Sequence, residues 1–571
     1  MSKFGDLQTT KALLLIGSLL IGLSFAALLP PFEGFDEIAH YSYIEQIAET
    51  GRWPRLNGPI AQEVTDYLDA APGPTTSLQG RWSYRAFFAA PPETVARARA
   101  IVHTPRDPSR PWQPGAGSNY EGQHPPLYYA LLAPVFNLSM GWSFERQFLL
   151  LRGLSYLIGW ISLCIVTFLP SVNLQKDQRV KTAMALAPAL WPALFPMWFT
   201  EMGRLGNDCL VTLWAACAAV LILRLSLKDG LFNYVLLGIV CAFGLLTKAS
   251  FLPLTAAIFF FLCYRTWTAR GDKPQFRQFA RGLAAFVAIV IVISGWWYGK
   301  NLYDTGSLIG SKDELQQLAL DHRLSVKGNL VSLALEKLQT IPPRALVSGL
   351  IGSNLLDFVW GGTWSFVLPP LLSELPLIIL VFVIVVGYLR AVVRTPPSGS
   401  EWIYPLTLAF FLAGLFRDLL IVFAVLGTIS IGVHYLHSLA PILAPMVGRG
   451  VAEVCRWRAT RPFVGAILLY PSLFLPFGTG VLALYYAGCG DKYADHAFYN
   501  FSSAQSCILD VTGIIHNLSV LGDPWLSITL FIFGWTLMLI GMILSIRVLL
   551  VDGRELSAKA VAESHSRGAY I

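Results

Sequence analysis

Twelve apolar runs constrain this chain more than any other feature. They cover residues 11–29, 147–170, 182–200, 207–226, 231–247, 250–267, 281–299, 369–390, 403–427, 432–451, 463–486 and 525–548, each near the ~20 residues that a helix needs to cross a bilayer core. Of 571 residues 54% are hydrophobic and only 13% charged, against roughly a quarter charged in a soluble domain. The expected fold class is therefore all-α and polytopic, with about 12 transmembrane helices and a large extracytoplasmic first loop.

Charge orients the runs. With Lys3 and Lys11 cytoplasmic, the loops QKDQRVK, RLSLKDG, RTWTARGDKPQFRQFAR, RAVVRTPPSGSE and CRWRATR, and the tail from Arg547, all fall inside, as the positive-inside rule requires. The net charge of +7 is then ordinary loop bias. PPLYYALLAPVFNL (125–138) is apolar but too short to span; counting it would put the basic loops outside, so it reads as re-entrant or interfacial. The run 11–29 lacks an A-x-A-like cleavage site and reads as a retained signal anchor.

The expected organisation is a cytoplasmic N-terminus and first helix (1–29), an extracytoplasmic loop with the re-entrant segment (30–146), helices 2–7 (147–299), an outer loop (300–368), helices 8–11 (369–486), an outer loop (487–524), and the last helix with a cytoplasmic tail (525–571). Short loops and the lack of a eukaryotic retention signal point to a bacterial inner (plasma) membrane. Function should live where the three outer regions meet.

In the first loop, EIAHYSYIEQIAETG has apolar residues at 38, 41, 44, 47 and 48, a helical spacing. It predicts an amphipathic juxtamembrane helix along the membrane surface, with Asp36 as its N-cap. APGPTTSLQGRWS and TPRDPSRPWQPGAGS are Pro/Gly-rich and read as irregular. Six cysteines lie in or beside apolar runs, where Cys is a small hydrophobe. Cys489 and Cys507 bracket a polar outer loop and are either a disulfide in an oxidising compartment or two free thiols.

Three motifs converge on the outer face: Asp36-Glu37-Ile38-Ala39-His40, Gly122-Gln123-His124-Pro125-Pro126-Leu127-Tyr128-Tyr129, and Arg204-Leu205-Gly206-Asn207-Asp208. Taken singly, each is more plainly a cap or an interfacial hydrogen-bonding group. Arg417-Asp418, inside the ninth run, reads as a structural ion pair facing the bundle interior. Phe358, Trp360, Trp364 and Phe366 either stack on a sugar or anchor at the interface.

Taken together, the D-E pair after the first helix, the H-P-P-L-x-Y segment ending the first loop and the N-D opening a later helix resemble the GT-C superfamily of polytopic glycosyltransferases, in the protein O-mannosyltransferase and lipid A aminoarabinose transferase group. Leu246-Thr247-Lys248, Trp296-Trp297-Tyr298-Gly299-Lys300-Asn301 and Gly432-Val433-His434-Tyr435-Leu436 add to it. The resemblance covers layout and short motifs across most of the chain, most closely over 30–310.

It implies transfer of a sugar from a polyprenyl-phosphate carrier to an acceptor hydroxyl on a glycan, lipid or protein, outside the membrane and with inversion. Asp36 matches the family's base, with Glu37 beside it in the catalytic pair to orient it or bind the acceptor; His124, Arg204 and Lys248 are assigned to the donor phosphate, and His40, Tyr128, Asn207, Asp208, Trp360 and His434 to acceptor or sugar. Two positions depart from the family pattern: Gln123 stands where the aminoarabinose transferase has Glu, so a carboxylate is missing there unless Glu121 replaces it, and His434 stands where the family often has Arg. The acidic and imidazole groups admit a divalent cation but show no diagnostic ligand spacing, so no metal ligands are assigned. Two other classes share the spans: a transporter or flippase of a lipid-linked sugar, and a non-catalytic envelope polysaccharide assembly protein. Carboxylates in large outer loops and the lack of a convincing internal repeat favour the enzyme. Nothing suggests a nucleic-acid partner.

Overall fold

A computed structural model describes residues 3–74, 82–169, 177–310, 330–343, 349, 354–397, 399–427, 432–456, 461–493 and 497–550. Part of the irregular stretch 71–83, much of the outer loop 300–368 and the tail after 550 lie outside the described residues.

The apolar runs fold as helices: α1 (Lys3–Leu28), α2 (Glu37–Thr50), α3 (Leu127–Leu138), α4 (Phe144–Phe168), α5 (Gln178–Leu194), α6 (Asp208–Leu227), α7 (Leu231–Leu245), α8 (Leu252–Thr268), α9 (Lys273–Thr305), α10 (Leu371–Arg394), α11 (Ile403–Leu426), α12 (Ala440–Val454), α13 (Arg461–Tyr486) and α14 (Pro524–Leu550). Among the described residues, nine helices are long and apolar enough to cross a membrane. The other three expected spans are shorter helices. In the run 182–200, α5 holds Pro188 and Pro192 and stops at Phe195-Pro196, before a short helix Met197–Met202; proline removes a helical donor and disfavours helix in the residue before it. α7 has 15 residues. The run 432–451 opens as a 3₁₀ turn after Gly432, whose φ is 57°, and continues as α12.

Two expectations change. Residues 37–45 of α2 are all buried, so protein covers this helix around its circumference instead of leaving a polar face in water. Arg417 and Asp418 pair with each other, but their side chains are 55% and 58% exposed on α11, outside the bundle interior.

Little sheet is present. Strands β1 (Gly58–Ala61) and β2 (Pro114–Asn119) pair antiparallel, with Gly58 opposite Asn119, and so carry the end of the first loop back to α2. Glu33 joins the outer regions: its carboxylate accepts from Tyr84 (2.8 Å), Ser365 (2.9 Å), Thr363 (3.1 Å) and Tyr486 (3.4 Å), and its carbonyl accepts from Trp364 N–H at 2.9 Å. Burial pushes this carboxyl up from its ordinary range. A disulfide joins Cys489 to Cys507, Cα atoms 5.7 Å apart. The loop it closes docks on the same segment, where Lys492 donates to Ser365 O at 2.7 Å and Tyr499 N–H to Leu368 O at 2.8 Å.

Candidate active site

The turn from α1 into α2 is built from Pro30-Pro31-Phe32-Glu33-Gly34-Phe35-Asp36. Phe32 and Asp36 both sit at positive φ, 69° and 60°, a left-handed conformation that costs a non-glycine residue about 1–3 kcal/mol and persists only when its surroundings impose it. Asp36 precedes the first helical residue, but its side chain makes no capping hydrogen bond, which corrects the expected cap. The strained backbone turns the carboxylate elsewhere, and Oδ1 accepts from the Tyr120 hydroxyl at 2.9 Å.

One turn into α2, His40 joins it. Asp36, His40 and Glu121 each offer one ligand atom, all within 4.8 Å of one another. Glu121 is set by the 3₁₀ turn Tyr120–Gln123, where Asn119 accepts from its N–H at 3.1 Å and donates to Ala39 O at 3.1 Å. Burial, with the charges of Arg204 and Lys248, holds the His40 imidazole well below its ordinary range, so the ring is neutral and Nδ1 shares a 2.9 Å hydrogen bond with Tyr129. His124 Nε2 lies 2.5 Å from Glu121 Oε2. That contact favours a charged ring; burial and Lys248 oppose it and push His124 down to about 3.

Glu37 turns away from this group. It receives Arg152 Nε (2.8 Å) and Nη2 (2.5 Å) and the N–H groups of Leu205 (2.7 Å) and Gly34 (3.0 Å). Its lone pairs are spent holding the turn to α4, an arrangement that fits orienting Asp36 more than binding an acceptor. Arg152 is equally committed, to the carbonyls of Leu29 and Pro30.

The expected phosphate cations form a buried chain. Arg204 pairs with Glu201 (2.6 Å) and Asp208 (2.8 Å) and donates to Phe35 O (2.8 Å). Asp208 also accepts from Lys248 at 2.8 Å, whose Nζ sits 4.6 Å from the Tyr435 ring centre. With two carboxylates and a carbonyl about it, Arg204 orients the Asp36 turn, while Lys248 has Asp208 as its one carboxylate partner among the described residues. Asn207 donates to Tyr129 and to Thr247 O, both at 3.4 Å.

The other expected sugar residues divide. Tyr128 is buried against Ser155 at 2.8 Å, and Trp360 packs edge-on to Phe25 and Phe474 in the core; neither lines the cavity. His434 does belong near the turn: it stacks on Phe35 at 5.0 Å, Asp357 accepts from its Nδ1 at 2.8 Å, and its Nε2 is buried with no partner among the described residues. Tyr120 and Asp357 are functional candidates that the sequence motifs passed over. From the edge of this group, a cavity of about 220 Å³ opens beside Gln123 and His124.

No family model matches the chain, and no curated protein matches it. Among solved structures, it is similar to ArnT from Cupriavidus metallidurans bound to undecaprenyl phosphate, at 12% identity over 95% of this chain and 77% of that one, with a TM-score of 0.39. It is also similar to the archaeal oligosaccharyltransferase AglB from Archaeoglobus fulgidus in complex with an inhibitory peptide and a dolichol-phosphate, at 12% identity over 93% of this chain and 56% of that one, TM-score 0.37. A third is the arabinosyltransferase EmbB from Mycobacterium smegmatis, at 14% identity over 95% of this chain and 40% of that one, TM-score 0.37. At identities and TM-scores this low the likeness sets no family and no residue correspondence, and the roles below rest on this chain's own side chains.

Proposed function

We propose that the chain is an integral-membrane glycosyltransferase that moves a sugar from a polyprenyl-phosphate carrier to an acceptor hydroxyl on the extracytoplasmic side, with inversion. The observation that carries this reading is Asp36: a non-glycine residue strained into the left-handed region, released from capping, its carboxylate held by Tyr120 among His40 and Glu121. Strain of this kind concentrates where geometry serves function.

In the reaction, the acceptor oxygen attacks the anomeric carbon as the bond to the carrier phosphate breaks, and Asp36 takes the acceptor proton. Lys248 supplies the positive charge that the departing phosphate needs, with the neutral His124 imidazole as a hydrogen-bond donor beside it; Arg204 holds the Asp36 turn. Asp36, His40 and Glu121 would hold a divalent cation, since two carboxylates and a neutral imidazole suit one. Such an ion would supply charge stabilisation at a reacting oxygen. The acceptor is a glycan, lipid or protein, and the location is the bacterial inner membrane with both termini cytoplasmic.

The test is to incubate purified protein with a panel of polyprenyl-phosphate sugars and measure free polyprenyl phosphate. Release that requires Asp36 supports the transferase. Transbilayer movement of the lipid-linked sugar without release would instead make the protein a flippase.

A further inference from the structure

The cavity of about 220 Å³ lies where the end of the first loop meets the last turns of α9. Its polar lining is Gln123, His124 and Asn301, and its aromatic walls are Trp297 and Tyr298, whose hydroxyl donates to Leu245 O at 2.9 Å. Trp297 is 1% exposed, and its indole N–H is buried with no partner among the described residues. Trp53, from the first loop, braces the indole edge-on at 6.1 Å.

Charge is what the described cavity lacks. Among the described residues no carboxylate, ammonium or guanidinium lines it, and the His124 imidazole turns to Glu121, with Nε2 2.5 Å from Oε2. Lys300 lies over the Trp297 ring at 5.2 Å but is paired with Asp304 at 2.8 Å and is not part of the lining. A ligand bearing a full charge would therefore be desolvated without a partner, which is costly. A few amides beside an indole suit the opposite ligand, one with apolar C–H faces and neutral hydroxyl edges. Size narrows it further: the volume falls below the ~300–1,000 Å³ of sites for drug-sized ligands, so one ring fits and an oligosaccharide does not.

We propose that this cavity is a subsite for a single uncharged sugar ring, which excludes uronic acids and protonated amino sugars. Its place in catalysis rests on the transferase reading: His124 contacts Glu121, and Glu121 shares the group of Asp36, so a ring seated here is linked to the base through two side chains. Both the carrier-linked donor and a saccharide acceptor offer such a ring.

Saturation-transfer NMR on the full chain in detergent tests the proposal, using the methyl glycosides of glucose, mannose, galactose and arabinofuranose, with methyl glucosaminide and methyl glucuronide as charged probes. At least one neutral glycoside should bind, and Asn301→Leu and Gln123→Leu should each weaken it by about tenfold, the scale of one hydrogen bond. Gln123→Glu should gain binding of methyl glucosaminide, a readout that a merely unfolded variant cannot mimic. Equal binding of methyl glucuronide, or no neutral glycoside sensitive to these residues, overturns the proposal. In turnover assays, a rise in donor KM in Asn301→Leu assigns the ring to the donor and a rise in acceptor KM assigns it to the acceptor; neither rising overturns it. Asp36→Asn should keep glycoside binding. Glycoside binding without turnover would uphold the subsite and sink the transferase, whereas turnover without it would do the reverse.

Discussion

Tyr120 donates its hydroxyl to Asp36 Oδ1 at 2.9 Å, across 84 residues of sequence. The bond fixes one carboxylate oxygen; on the proposed reading the other takes the acceptor proton. Asp36→Asn should lower kcat by about 10²–10⁴, the usual worth of a general base, with donor binding retained. Tyr120→Phe keeps the base but loses its hold, and should cost about tenfold. Equal rates for Asp36→Asn and the native chain, in a polyprenyl-phosphate release assay, would move the base elsewhere.

Glu37 separates fold from chemistry. Removing one partner of a buried ion pair strands the other charge, at about 3–5 kcal/mol. Glu37→Ala should therefore fall in thermal stability by about that amount, and whatever folded protein survives should turn over at nearly the native rate per active molecule. A folded, stable but inactive Glu37→Ala would return this residue to catalysis.

The His103–Glu145 contact supplies a pH dependence. The two lie 2.7 Å apart, and the hydrogen bond that His103 Nδ1–H donates to Glu145 raises the His103 pKa above its ordinary 6.5. A raised folded value means that the contribution to stability is fully present below the unfolded pKa of 6.5 and is lost as pH climbs through the folded one. The gap in melting temperature between the native chain and His103→Gln should accordingly be larger at pH 6 than at pH 9. A gap that widens with pH would show that the charged imidazole is not what holds this contact.

A cation held by Asp36, His40 and Glu121 should show itself on chelation. Incubation with EDTA should lower turnover, readdition of Mn²⁺, Mg²⁺ or Zn²⁺ should restore it, and Glu121→Gln should raise the metal concentration required. Full activity in EDTA, with no bound metal by mass spectrometry, would leave the three side chains as a hydrogen-bonding group alone.

The helices were legible in sequence because length and apolarity are local properties, and Asp36 stood out because a carboxylate at the end of a span is conspicuous. His40 stood with it in one motif and Glu121 beside Gln123, but Tyr120 did not stand out. Tyr120 and Glu121 reach it only because β2 pairs with β1 and Asn119 ties the following turn to α2; no spacing in the chain encodes that pairing. Asp357 and His434 are 77 residues apart and meet only when the outer region before α10 folds over the turn before α12. The burial of α2 was illegible for a related reason: periodicity reports which residues share a face, not what covers the other faces. Arg204 is the instructive case. Glu201 and Asp208 stand three residues before it and four after it, so its neutralisation was written at helical spacing beside it.

The packing of α1 on α14 sets an order of assembly. Gly17 and Gly534 let the two backbones approach so closely that a Cβ at Gly17 would fall 2.8 Å from the Gly534 carbonyl, and one at Gly534 would fall 2.8 Å from Ile21 N. Such close approach is how small residues join helices in lipid. A chain made from its N-terminus inserts α1 first and α14 last, so the helix that carries Asp36 out of the membrane waits through synthesis of every intervening span for its partner. A nascent chain halted before Pro524 would hold α1 without that seam.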